Sequence, residues 1–145
     1  MSIQSYPLKD KRVFVVEDKG NNRAVMESVL RPLVHEIGFD DWGVNSLEKL
    51  KEFGDVDLIL LDLRLPNNTS GFDVYEQIRS DPDYADTPVI AVSASEPDTV
   101  LPRLRSSGFS GLISKPIDIL KFPLHIARVM KAEKFTHIEY SIHRF

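Results

Sequence analysis

The sequence predicts an α/β fold in which a parallel β-sheet is covered by helices on both faces. Three observations predict it. Apolar runs without polar alternation, at residues 13–16, 58–61 and 89–92 with a weaker one at 112–113, have the character of strands buried on both faces. Segments of helical spacing separate those runs. Strand and helix alternate five times, which calls for right-handed crossovers joining parallel strands.

The first strand, around residues 13–16, leads to the clearest helical stripe: Met26, Val29, Leu30, Leu33, Val34 and Ile37 form one apolar face. A weaker strand is expected between Phe39 and Val44, then a helix over 46–53. The run at 58–61 is the third strand, and a helix over 71–79 returns the chain to the fourth, at 89–92. A helix over 97–107 precedes the weak fifth strand. The last helix ends near Lys131 and has two candidate starts. Asp118 could cap it, but Pro123 would then remove a hydrogen bond from its second turn; alternatively the helix begins near Pro123. Beyond Lys134, residues 137–143 alternate polar and apolar, as a strand exposed on one side does. A frayed tail is the plainer expectation there, and a homodimer made through that C-terminal tail is the sharper one.

Composition narrows the function. A chain of 145 residues buries roughly 70% of its unfolded surface around one core and has no room for a second domain. An apolar fraction of 42% and a charged fraction of 28% are those of a soluble globular protein. Net charge is −4 and the short basic stretch at 9–12 is broken by Asp10, so no nucleic-acid partner is expected. No apolar run approaches the ~20 residues of a membrane span, and the N-terminus lacks the pattern of a signal peptide. The chain has no cysteine, which excludes disulfides and thiolate metal sites. A cytoplasmic protein is expected.

Open parallel sheets bind ligands beyond the carboxyl ends of their strands. The residues that follow the apolar runs are chemically coherent: Glu17 and Asp18 after the first, Asp62 after the third, Ser93 after the fourth, and Lys115 with Pro116 after the fifth. Carboxylates gathered at one sheet edge repel one another unless a cation sits among them, and Mg²⁺ suits an all-oxygen site with few protein ligands. A carboxylate beside such an ion can attack phosphorus while metal and ammonium charge neutralise the transferring oxygens. Lys115 supplies the ammonium, and the Ser93 hydroxyl can donate to a phosphoryl oxygen.

Glu17 and Asp18 with Asn22 and Arg23 following, the segment 60–66 around Asp62, Ser93 with Ala94, and Lys115 with Pro116 together resemble the response-regulator receiver family over about residues 11–132. On that reading 1–10 is an N-terminal extension and 133–145 a C-terminal tail. The resemblance implies a doubly wound five-stranded parallel sheet in the flavodoxin-like order 2-1-3-4-5. It implies that Asp62 accepts a phosphoryl group. Asp18 would ligate Mg²⁺ (or Mn²⁺) directly and Glu17 through water, with the backbone carbonyl of Arg64 as a further ligand. Ser93 matches the switch hydroxyl and Lys115 the phosphate-binding lysine, whose bond to Pro116 is expected to be cis. The implied partners are a histidine kinase or histidine phosphotransfer protein as donor, and a downstream protein bound on the face of the fourth helix, fifth strand and fifth helix. Such a module is a phosphoacceptor that assists its own phosphotransfer, and in some cases its dephosphorylation, rather than an enzyme.

Three departures stand out. The loop from Pro66 to Gly71 is one residue longer than is usual in the family, Leu112 replaces a common aromatic, and Arg64 brings a long cation to the rim. Phe109 lies close enough in sequence to raise the question of a substitute for that aromatic. The rival reading is a scaffold that keeps the fold without carrying phosphate. An enzyme on a similar sheet is disfavoured, because no nucleotide-binding glycine motif occurs and the position two after Asp62 is Arg64 rather than a second acid. No histidine is expected to act in catalysis, since His35, His125, His137 and His143 lack a metal-ligand spacing.

Overall fold

A computed structural model describes residues 8–40, 45–131 and 136–138. Its strands are β1 (Arg12–Val16), β2 (Glu36–Asp40), β3 (Leu58–Asp62), β4 (Val89–Ser93), β5 (Gly111–Ser114) and β6 (Thr136–Ile138). Its helices are α1 (Gly20–Leu30), α2 (Ser46–Phe53), α3 (Gly71–Ser80), α4 (Pro97–Ser107) and α5 (Phe122–Met130). All ladders are parallel and the order is β2-β1-β3-β4-β5-β6. The five expected strands therefore stand in the order 2-1-3-4-5, with one more beside β5.

Side chains alternate across each central strand and build two cores. Val13, Val15, Leu58, Leu60, Ile90 and Val92 face α1 and α5, where Met26, Leu30, Phe122 and Ile126 cover them. Phe14, Val16, Ile59, Leu61, Ala91 and Leu112 face α2, α3 and α4, against Leu50, Val74, Tyr75 and Leu104. Burial on both faces is why these strands read as unbroken apolar runs. Leu8, ahead of β1, is buried in the first core.

Helix ends follow local chemistry. Ser70 caps α3 by accepting from the Phe72 amide at 3.1 Å, and Gly108 closes α4 at φ 99°, where only glycine is unstrained. Pro123 lies in the first turn of α5, so the later of its two candidate starts holds; Asp118 instead accepts from the amides of Leu120 and Lys121 in the preceding turn. Two expectations fail. The stripe assigned to the first helix runs too far, because Pro32 stops α1 at Leu30 and Ile37 belongs to β2. The second strand accordingly starts earlier than expected, and residues 41–44 lie outside those described. Residues 136–138 are not frayed: they pair in parallel with β5 of the same chain, from Gly111↔Thr136 to Ile113↔Ile138. The remainder of the expected tail strand lies outside the described residues.

Candidate functional site

Two strands deliver three acids to one rim. In the β1–β3 ladder Val16 pairs with Leu61, so Glu17 and Asp18 leave β1 beside Asp62, the last residue of β3. Ligand atoms of Glu17, Asp18 and Asp62 all lie within 4.8 Å of one another, the one such His/Asp/Glu group among the described residues. Lys115, just past β5, crosses two strands to reach them. Its Nζ lies 3.1 Å from Asp62 Oδ2 and 3.0 Å from Glu17 Oε1, the first a hydrogen bond and the second an ion pair without hydrogen-bond alignment.

Burial makes this crowding consequential. Glu17 is 1% exposed and Asp62 5%, so water screens their repulsion weakly. Burial and the neighbouring Asp62 push the Glu17 carboxyl up to about 7, with Lys115 pulling the other way. Burial also works to lower the Lys115 pKa, but the carboxylates of Asp62 and Glu17 outweigh it and raise the value, so the ammonium stays charged. Asp18 Oδ1 is buried without a hydrogen-bond partner. A buried carboxylate oxygen with nothing to accept, beside two further acids, is the donor set a hard divalent cation fits.

The backbone around the acids is fixed from several sides. The Arg64 amide donates to Asp62 Oδ1 at 3.0 Å, and Arg64 also bridges to Ser70 across the long loop. Within that loop Asn67 and Asn68 both take φ 58°, a left-handed geometry asparagine tolerates. The bond between Lys115 and Pro116 is cis, as expected. Ser93 ends β4 with 2% exposure, and its Oγ accepts from the Ser95 amide at 3.0 Å.

Sequence reasoning missed four contributors. Arg23 reaches back from α1 to donate to the carbonyls of Glu17 (3.1 Å) and Asp18 (3.4 Å), a role its place in the motif could have suggested. Asp40 ends β2 as a buried acid that accepts from the Ser46 hydroxyl, while its carbonyl receives the Glu17 amide. Ser114 is in register with Ser93 and carries a buried hydroxyl without a partner. A side chain on Gly71 would place its Cβ 2.3 Å from the Asp62 carbonyl oxygen, so only glycine lets α3 begin so close to the rim. None of the last three has a local sequence signature. Phe109, for its part, is buried between α3 and α4 rather than at the rim.

Comparison with known proteins agrees with this geometry. The family described as the response regulator receiver domain matches residues 13–127. The polar-differentiation response regulator DivK of Brucella ovis is 32% identical over 112 residues, covering 77% of this chain and 89% of that protein. The bacteriophytochrome response regulator RtBRR superposes with a TM-score of 0.70 at 25% identity, over 83% of this chain and 78% of that one. The chemotaxis response regulator CheY4 of Vibrio cholerae, at 21% identity and a TM-score of 0.75 over 83% of this chain and 99% of that one, shares the fold. Sequence match and sheet order together establish that the chain belongs to the response regulator receiver domain family.

Proposed function

We propose that Asp62 accepts a phosphoryl group from a phosphohistidine donor and that the modified domain signals through altered protein binding. The observation that carries this reading is the convergence at Asp62: a lysine ammonium 3.1 Å from one carboxylate oxygen and two further acids beside it. The Asp62 oxygen forms a bond to phosphorus as the phosphorus–nitrogen bond breaks, and the donor imidazole nitrogen leaves with that electron pair. Lys115 balances charge on the transferring oxygens, and the Arg64 amide orients the carboxylate through Oδ1. Asp18, Asp62 and the Arg64 carbonyl, with Glu17 acting through water, would hold Mg²⁺ or Mn²⁺, which would supply the remaining positive charge. The product adds about −1.5 to −2 units of charge, toward which the Ser93 hydroxyl turns by giving up the Ser95 amide.

The receiver occupies residues 11–132 and works in the cytoplasm; no helix among the described residues is long and apolar enough to cross a membrane. Among the described residues, Ile119 and Leu120, exposed in the turn after Pro116, and Val25 on α1 are the large apolar side chains open to water. The donor is a histidine kinase or phosphotransfer domain, and two similar structures are response regulators named for phytochromes, so a phytochrome-type kinase belongs in the donor panel. A downstream protein binds the face of α4, β5 and α5, where β6 now lines the β5 edge. A homodimer through the tail would exchange that strand between copies, and deletion of residues 134–145 with unchanged mass by light scattering argues against it.

The test of the chemistry is phosphate-sensitive gel mobility after treatment with acetyl phosphate and Mg²⁺. A shift present in the wild type and lost in Asp62→Ala supports the proposal. No Asp62-dependent shift supports the scaffold reading, which Leu112 favours because an aliphatic side chain buried in the core cannot make the family's aromatic swing.

A further inference from the structure

The first turn of α3 is built directly on the backbone of Asp62. Gly71 donates its amide to the Leu63 carbonyl at 2.9 Å, and a Cβ there would meet the Asp62 carbonyl oxygen at 2.3 Å. A displacement of that peptide is therefore handed to the residue that follows, Phe72. The Phe72 ring meets α4 and the segment that follows it. Arg103 of α4 lies over it at 3.8 Å, and Phe109, two residues beyond α4, meets it edge-on at 5.7 Å.

Phe109 is in turn stacked on Tyr75 of α3, 4.1 Å between centroids at 18°. Tyr75 is a fixed support: its hydroxyl accepts from Arg79 Nε at 3.0 Å, and Arg79 is anchored to the carbonyls of Tyr84 and Thr87. Gly108, the cap of α4, comes so close to the Tyr75 hydroxyl that a Cβ would sit 2.8 Å from it. The two helices are thus clamped through aromatic rings whose upper member, Phe72, rests on the turn that Asp62 shapes. Leu112 belongs to the same core but is aliphatic and fully buried, with no ring to rotate.

We propose that α4 senses the state of Asp62 through α3, by way of Gly71, Phe72, Arg103 and Phe109, in place of an aromatic on β5. The inference rests on the phosphoacceptor reading of Asp62. Packed rings have discrete arrangements, so a small shift at the first turn of α3 favours one seating of α4 over another. Arg103 is exposed and holds Phe72 through the ring face alone, which makes it the contact most readily exchanged.

Hydrogen exchange of the full chain tests this, read on the amides of residues 97–107 with and without Mg²⁺ and beryllofluoride, an anion that adds to an aspartate as a phosphoryl group does. In the wild type, exchange in α4 changes roughly fivefold or more; Phe72→Leu and Arg103→Met each cut the change below about twofold, and Leu112→Val retains it. Arg103→Met alters an exposed side chain, so the fold survives it even if Phe72→Leu weakens packing. A full α4 response in both variants overturns the proposal. A wild type with an Asp62-dependent gel shift but unchanged α4 exchange overturns the coupling alone, whereas a wild type without the shift removes the phosphoacceptor reading and the coupling with it.

Discussion

Where the strands finish, Glu17 and Asp62 share one lysine, and Asp18 beside them keeps a buried carboxylate oxygen without a partner. Where the strands begin, Arg12 at the head of β1 is surrounded by acceptors. Its Nε donates to the Asp55 carbonyl at 2.6 Å, its terminal nitrogens reach Glu36 and the Phe53 carbonyl, and its guanidinium lies 4.3 Å over the Phe53 ring. Its own amide donates to Asp57 at 2.8 Å. Nearby, Lys51 pairs with Asp81 at 2.7 Å and the Tyr84 hydroxyl reaches the carbonyls of Leu50 and Gly54. One rim spends its charges on holding the fold, and the other gathers acids that a divalent ion would neutralise. Sites held ready for chemistry tolerate local conflicts that the remainder of the molecule must outweigh.

The sharpest way to break that contrast is to crowd the ligand rim. Gly71→Ala forces a methyl group onto the backbone of Asp62 and Leu63, atoms that cannot swing aside. The expected loss is about 3 kcal/mol of unfolding free energy in urea, together with the Asp62-dependent gel shift. Stability within about 0.5 kcal/mol of wild type would show that α3 is free to back away, and that the rim is not held tightly. At the other rim, Arg12→Met keeps the aliphatic packing but strips the charge-assisted bonds that tie β1 to β2 and the loop before β3. It should cost about 2 kcal/mol and leave the gel shift intact, since no ligand-rim residue touches Arg12. Loss of the shift in a folded Arg12→Met protein would mean that the two ends are not separable.

His125 sharpens the comparison by offering a titratable group whose acting charges, Arg128, Asp118 and Lys121, belong to neither set of partners. Burial in α5 and the nearby Arg128 hold its pKa down at about 4, with Asp118 opposing and Lys121 adding to the depression. The folded protein thus keeps the ring neutral while the unfolded chain protonates it near 6.5. Stability is fully present above the unfolded value and is lost as pH falls toward the folded one. Between about pH 7 and about pH 5 this removes on the order of 1–2 kcal/mol from wild type and not from His125→Gln. Equal pH slopes for the two proteins would assign the acid sensitivity to the carboxylates instead.

How much of this was legible in the sequence follows from where the information lies. β1, β3 and β4 are buried on both faces, and continuous apolarity is a local signal. Asp18, Asp62 and Lys115 were legible because each follows such a run. β2 was displaced because it is an edge strand of mixed burial, and because Ile37 prolongs the periodicity of the preceding helix. β6 is a three-residue edge strand whose pairing with β5 needs the whole sheet to exist first. Arg12 and Gly71 act through neighbours distant in sequence, so nothing beside them in the chain announces the role.

Asp18→Asn tests the contrast by the sign of a small effect. With divalent ions chelated, Asp18 adds a carboxylate to a rim that already holds two acids, and one of its oxygens is buried with nothing to accept. Asparagine removes that charge and offers an NH₂ group that Glu17 or Asp62 can accept, so the variant should be more stable by about 1 kcal/mol. Excess Mg²⁺ reverses the order. A ligand that binds only the folded state stabilises it in proportion to the logarithm of its saturation, and that gain belongs to wild type when Asp18 is a metal ligand. Chemical denaturation in EDTA and in about 10 mM Mg²⁺ reads both signs, at a concentration well above the range that ordinary carboxylate sites require. A variant less stable than wild type even in EDTA would show that Asp18 holds the rim together as Arg12 holds the other, and the distinction between the two ends would be lost.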